Sequence, residues 1–127
     1  MAIHLDHTIV PSRKKVASAK LLAELLGVAW AEVGAGPFSP VYLNEGLTLD
    51  FIETDESFPI HHFCFRVEQH DFDAILGRIK AAGIDYRSTV RGPVDRQVNT
   101  EYGNIYWNEP DGYQWEILTV SYARPPR

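Results

Sequence analysis

Glu109-Pro110-Asp111-Gly112-Tyr113-Gln114-Trp115-Glu116-Ile117 encodes a tight reversal followed by a strand. Pro110 presets φ for the first central position of a β-turn, and Gly112 accepts the positive φ that such turns often need. From Tyr113 onward the residues alternate: Tyr113, Trp115 and Ile117 share one face, Gln114, Glu116 and Leu118 the other. Glu116 is then a carboxylate in the middle of a strand. Taken alone, this stretch allows two readings of it, an exposed charge on an edge strand and a metal ligand or general base.

The rest of the composition narrows the choice. A chain of 127 residues forms one domain, 1–127, with enough apolar surface to bury a core without covalent staples. No apolar run approaches the roughly 18 residues of a membrane helix, and Met1 to His7 lacks the apolar core of a signal peptide, so the expected address is cytoplasmic. The one cysteine, Cys64, excludes an internal disulfide and a cysteine-based zinc site, and it reads as a small buried hydrophobe. A formal charge of −5 disfavours nucleic acid and anionic membrane as partners, which leaves a small-molecule substrate.

Ile3 to Val10 alternate and end at Pro11, as a first strand does; Ser12 is then positioned to cap a helix over 13–26 that Gly27 stops. Two short strands flank Gly34 to Pro37, and a fourth runs from Leu47 to Glu53 with Asp50 on its polar face. The acidic connection Thr54 to Pro59 divides module one, 1–57, from module two, 58–122. In Ile60 to Val67, Phe63, Phe65 and Val67 face a helix while His62, Cys64 and Arg66 face away. Asp71 can cap a second helix that closes at Gly83, and a short strand over 84–88 follows. The basic stretch 89–102 reads as a lid before Ile105 to Trp107 pairs with the last strand. Residues 123–127 are a tail, and from Tyr122 onward the chain is expected to trail over the surface.

The same order, strand, helix, three strands, thus occurs twice. Gly27 lies 20 residues after His7 and Gly83 lies 21 after His62, so both helices end in register; Asp50 and Glu116 sit on the fourth strand of each half. The expected fold is α+β, with paired βαβββ modules forming a curved mixed sheet around a cleft and the helices on its outer face. Two such halves related by a pseudo-twofold would gather His7, His62 and Glu116, with Asp50 nearby. Two imidazoles and a carboxylate suit Fe2+, Mn2+, Ni2+ or Zn2+, and three ligands leave positions open to substrate.

The succession Leu5-Asp6-His7-Thr8-Ile9-Val10, Leu22 to Gly27, His62-Phe63-Cys64-Phe65-Arg66-Val67, Ile79 to Ile84 and Pro110 to Glu116 resembles the vicinal oxygen chelate superfamily over nearly the whole chain. That superfamily includes glyoxalase I, extradiol dioxygenases, fosfomycin-resistance transferases and bleomycin-binding resistance proteins. The resemblance carries the family's metal positions onto His7, His62 and Glu116. A fourth falls on Asp50, where a four-ligand glyoxalase I would present glutamate; Asp50 is read as a direct ligand or as an acceptor orienting a histidine.

The resemblance implies one divalent ion, Fe2+ or Mn2+ first, that chelates two adjacent oxygens of a substrate. An extradiol-like dioxygenase ranks first. A glyoxalase-I-like lyase or isomerase, with Glu116 as the proton-transfer base, comes second. A metal-free antibiotic-binding protein is the reading from another class. Arg66 is assigned either to an ion pair with Asp50 or Glu116 or to an anionic or catecholic substrate, and Asn99, Tyr102 and Tyr106 to substrate binding beside the lid. The resemblance also implies a homodimer whose clefts draw on both chains.

Overall fold

The computed structural model describes residues 2–124. The chain divides into two compact units, Met1–Pro59 and Ile60–Arg127. In the first, β1 (His7–Ser12), α1 (Lys15–Leu26), β2 (Ala29–Trp30), β3 (Ser39–Tyr42) and β4 (Thr48–Glu53) follow in order. The second repeats the order with β5 (His62–Arg66), α2 (Gln69–Ala81), β6 (Tyr86–Arg87), β7 (Asn104–Asn108) and β8 (Gln114–Leu118). The sheets are ordered β1-β4-β3-β2 and β5-β8-β7-β6, with the first and last strands of each unit parallel and the other neighbours antiparallel. Both units are βαβββ modules, as the repeat predicts.

Alternation explains the first sheet. Val10 pairs with Phe51 and Val41 with Leu49, and these four make one buried face. His7, Ile9, Thr48 and Asp50 lie on the other. Ala19, Leu22 and Ala23 put a buried stripe on α1, which packs on its own sheet. The helix closes at Gly27, whose φ of 74° suits glycine and whose amide reaches the Ala23 carbonyl at 2.8 Å.

Two boundaries differ from expectation. β1 continues through Pro11 to Ser12, because an edge strand tolerates a residue with no N–H to donate. The helix cap therefore shifts to Lys14, whose amide bonds the Ser12 hydroxyl at 3.1 Å. Asp71 likewise lies within the first turn of α2, and Glu68 takes the cap position. There the Asp71 charge favours the positive end of the helix without capping it.

The second unit has an aromatic core. Phe63 stacks on Trp115 at 4.8 Å, Phe65 on the same ring at 5.9 Å, and Tyr113 meets Phe63 edge to face at 5.9 Å. Tyr113 and Trp115 are fully buried, each hiding roughly 150–250 Å², on the order of 4–6 kcal/mol of gross transfer free energy, while Phe63 and Phe65 are half-buried. This face fixes the register of β5 on β8, since a slip of one residue would turn every ring outward. The opposite face is thereby fixed too, and it carries the polar residues.

A candidate metal centre on the polar face of the second sheet

Register assembles this face in rows. Cys64, Glu116, Tyr106 and Arg87 lie side by side across β5, β8, β7 and β6. The flanking rows are His62, Gln114 and Asn108, and Arg66, Leu118 and Asn104. Strand β8 is interior, and Glu116 is 0% exposed. An exposed edge-strand charge is therefore not what Glu116 is. A buried carboxylate needs partners, and it has three.

His62 Nε2 lies 3.0 Å from Glu116 Oε1, Asn104 Nδ2 donates to Oε2 at 2.8 Å, and the Tyr122 hydroxyl lies 2.6 Å and 2.8 Å from Oε1 and Oε2. His62 is 41% exposed, so the pair joins an open imidazole to an enclosed carboxylate. Its other nitrogen, Nδ1, is 3.2 Å from the Gln114 carbonyl. Only an N–H can donate to a carbonyl, which assigns a hydrogen to Nδ1; with no second hydrogen on the ring, the Nε2 lone pair points at Oε1. Two lone pairs at that distance need a shared proton or a shared cation between them. Donors about 3.0 Å apart are also what two neighbouring bonds of roughly 2.1 Å to one divalent ion require, so the residues present fit a metal.

The surroundings are shaped by the same carboxylate. Burial pushes the Tyr122 phenol well above its ordinary pKa, and its hydrogen bond to Glu116 adds to this. Burial is also the main reason that Tyr106 titrates high. Cys64 is exposed rather than buried; desolvation, followed by the facing Glu116 charge, pushes its thiol up to about 12. It is protonated at neutral pH, which makes it a poor nucleophile.

The remaining predicted residues divide. Tyr106 is 8% exposed, and its hydroxyl accepts from Asn104 at 3.2 Å. Tyr102 packs edge to face on Tyr122 at 5.2 Å. The Asn99 side chain accepts the Glu101 amide at 2.9 Å, so it shapes a turn. Arg66 is exposed rather than buried, and it lines a cavity of about 550 Å³ with Val67, Glu68, Gln69 and Thr119. Glu116 is taken by other partners, so the expected ion pair between it and Arg66 does not form. The lid stretch is tied down: Gln114 Nε2 donates to the Val90 carbonyl at 2.7 Å, and Arg96 pairs with Asp85 at 2.8 Å.

In the first unit His7 is exposed and pairs with Asp6 at 2.8 Å; that hydrogen bond raises its pKa, with help from the Asp50 charge. Asp50 pairs with Ile9 across β1 and β4, on the face of His7. Among the described residues, neither unit by itself gathers three His, Cys, Asp or Glu side chains into a metal-binding group. Asn104 and Tyr122 are the partners of Glu116 that the sequence reading missed. Asn104 precedes Tyr106 by two residues and so shares its face, which alternation extended by one step could have found. Tyr122 follows the end of β8 and carries no periodic signal. Residues 125–127 of the expected tail lie outside the described residues, but Tyr122 itself turns inward.

No family model matches the chain. The structure of Oxidase ChaP-H2 superimposes with a TM-score of 0.87 at 36% identity, covering 97% of this chain and 98% of that one. The chain belongs with it to the vicinal oxygen chelate superfamily of glyoxalase-, fosfomycin-resistance- and dioxygenase-type proteins. The metallothiol transferase FosB of Shouchella clausii (strain KSM-K16) is 36% identical over 62 residues, 49% of this chain and 40% of the transferase. The match therefore spans less than half of that protein's length. The fold recurs in the fosfomycin resistance protein FosX of Listeria monocytogenes, solved with Mn(II) and 1S,2S-dihydroxypropylphosphonic acid. Its TM-score is 0.69 at 18% identity, over 96% of this chain and 95% of that one. Among the described residues no helix is long and apolar enough to cross a membrane.

Proposed function

We propose that the chain is a small-molecule metalloenzyme that holds one divalent ion, Fe2+ or Mn2+ before Ni2+ or Zn2+, through His62, Glu116 and His7. The observation that carries this reading is the convergence of His62 Nε2 and Glu116 Oε1 at 3.0 Å, with Nδ1 engaged by a backbone carbonyl. Bound there, the ion would supply Lewis-acid charge stabilisation and open positions for two adjacent substrate oxygens. His7 would complete the set from the first unit, and Asp50, on its face, would ligate or orient it.

Each residue then has work of its own. The Gln114 carbonyl fixes the tautomer of His62, and Asn104 holds the carboxylate plane of Glu116. Arg66 offers a guanidinium to an anionic or catecholic substrate, and Tyr106 and Tyr102 close the side of the site near Glu116. Asn99 sets the turn that presents Tyr102 and retains the substrate-side position assigned to it. Oxidative chemistry of the extradiol dioxygenase type ranks first, supported by the 36% identity with Oxidase ChaP-H2 over nearly all of both chains. A homodimer at a cytoplasmic address belongs to the same reading, and light scattering at micromolar concentration tests the dimer.

Oxygen uptake tests the ranking. Protein reconstituted anaerobically with Fe2+ or Mn2+ should consume O2 with a member of a catechol panel and stop on chelation. No uptake across the panel, with turnover of a glutathione hemithioacetal under argon, would assign Glu116 to a proton-transfer role in a glyoxalase-like lyase. A second reading rests on a separate observation: both Glu116 oxygens already have partners from the chain itself. A metal-free binding protein of the bleomycin-resistance type could keep them so, and it would bind its ligand unaffected by EDTA.

A further inference from the structure

Tyr122 touches both oxygens of Glu116, at 2.6 Å and 2.8 Å, with the residue 44% exposed and its hydroxyl inward. A group nearly equidistant from two carboxylate oxygens stands in front of the O–C–O fork, the edge that a chelated cation would take. Oε1, its nearer contact, is also the oxygen that faces His62 Nε2.

The segment bearing it is held from one side. Thr119 and Val120 donate their amides to the Tyr102 carbonyl at 3.2 Å and 3.1 Å, and the Tyr102 ring meets Tyr122 at 5.2 Å. Tyr106, in the row beside Glu116 across β7 and β8, accepts from Asn104 at 3.2 Å. Asn104 bonds both Tyr106 and Glu116, so one buried amide ties the carboxylate to β7. Asn104 belongs to β7, whereas Tyr122 lies beyond the last strand, where its withdrawal breaks no sheet pairing. Of the donors on Glu116, Tyr122 is the one that the fold can release.

We propose that Tyr122 is a latch: its hydroxyl occupies the chelating edge of Glu116 and is displaced when a divalent ion binds, so that strap and ion compete for one carboxylate. This rests on the metal-centre reading above and adds to it a determinant of affinity outside the ligand set. It also couples loading to a movement of the segment 119–124, which borders the cavity lined by Arg66 and Thr119. Release would uncover the polar face beside Glu116 as the ion arrives. Tyr122 is on this account a positioning residue, since it contacts neither substrate nor ion in the loaded state.

Calorimetric titration of Mn2+ into wild-type protein and Tyr122→Phe tests it. Phenylalanine keeps the ring packing on Tyr102 and removes only the hydroxyl. Competition predicts that Tyr122→Phe binds Mn2+ at least about tenfold more tightly, the worth of a hydrogen bond to a charged group. Backbone hydrogen exchange on the wild type, which needs no variant to fold, should show faster exchange over 119–124 on Mn2+ addition. Equal or weaker binding by the variant, or a segment that stays protected with Mn2+ bound, overturns the latch and leaves the metal centre standing. No binding by either protein removes the metal centre and the latch together.

Discussion

His62 and Glu116 stand on neighbouring parallel strands, one step apart on the same face, with Nε2 and Oε1 3.0 Å apart. The contact follows from register: His62 pairs with Gln114, so Glu116 is its diagonal neighbour. The aromatic stack on the other face enforces that register. The chemistry of one face is thus held in place by the packing of the other.

Asn104 is the partner of Glu116 that the sheet holds fixed. Asn104→Ala leaves Oε2 and the Tyr106 hydroxyl without it in a site that is 1% exposed at Asn104. A loss of about 1–3 kcal/mol in unfolding free energy is expected, read as a lower urea midpoint at unchanged slope. An unchanged midpoint would mean that the carboxylate does not depend on this bond.

Glu109 closes the β7–β8 hairpin by accepting the Tyr113 amide at 2.9 Å, while its Oε2 is buried without a partner among the described residues. Burial, the largest effect, raises its pKa to about 7, from 4.5 in the ordinary range. Between those values the folded state holds more protons than the unfolded one, so stability falls as pH rises through that window. Glu109→Gln should be flatter with pH and, near pH 8, more stable by about 1–2 kcal/mol after allowing for solvent screening. Parallel pH profiles for the two proteins would contradict this.

Gly103 has φ +57°, and a Cβ there would collide with Thr119 Oγ1. That hydroxyl donates to the Tyr102 carbonyl at 3.2 Å. Gly103→Ala therefore strains the backbone and dislodges the bond that braces the strap, at a cost of about 1–3 kcal/mol by thermal unfolding. Gly77→Ala, in a helix with nothing within 4 Å, is the control and should be neutral or stabilising.

Arg66 ends β5, exposed beside its cavity. Arg66→Met should leave the unfolding midpoint within error and weaken an anionic ligand at least about tenfold by calorimetry. Unchanged affinity for every anionic candidate would end its assignment to substrate.

Much of this was legible in the sequence for a physical reason. Period-two alternation assigns faces independently of exact strand ends, so Phe63, Phe65 and Trp115 against His62, Cys64 and Glu116 could be sorted before any pairing was known. Glycines at helix ends marked both modules. What escaped was decided by pairing or by single side chains. That β8 is an interior strand, and hence that Glu116 is buried, depends on strand order. Pro11 stays in a strand because β1 is an edge. Cys64 and Arg66 are exposed because β5 is an edge strand, whereas Glu116 and Leu118 beside them on β8 are buried. Tyr122 bonds Glu116 from a segment with no regular structure, where no periodicity exists to read.

The most direct test of the metal centre is elemental analysis of untagged, dialysed protein after exposure to Fe2+ or Mn2+, beside His7→Ala, His62→Ala and Glu116→Ala. The account predicts close to one ion per chain in the wild type and loss in all three variants, with His62 and Glu116 the more severe. A wild-type protein that retains no metal after soaking, or variants that retain as much as it does, would contradict it.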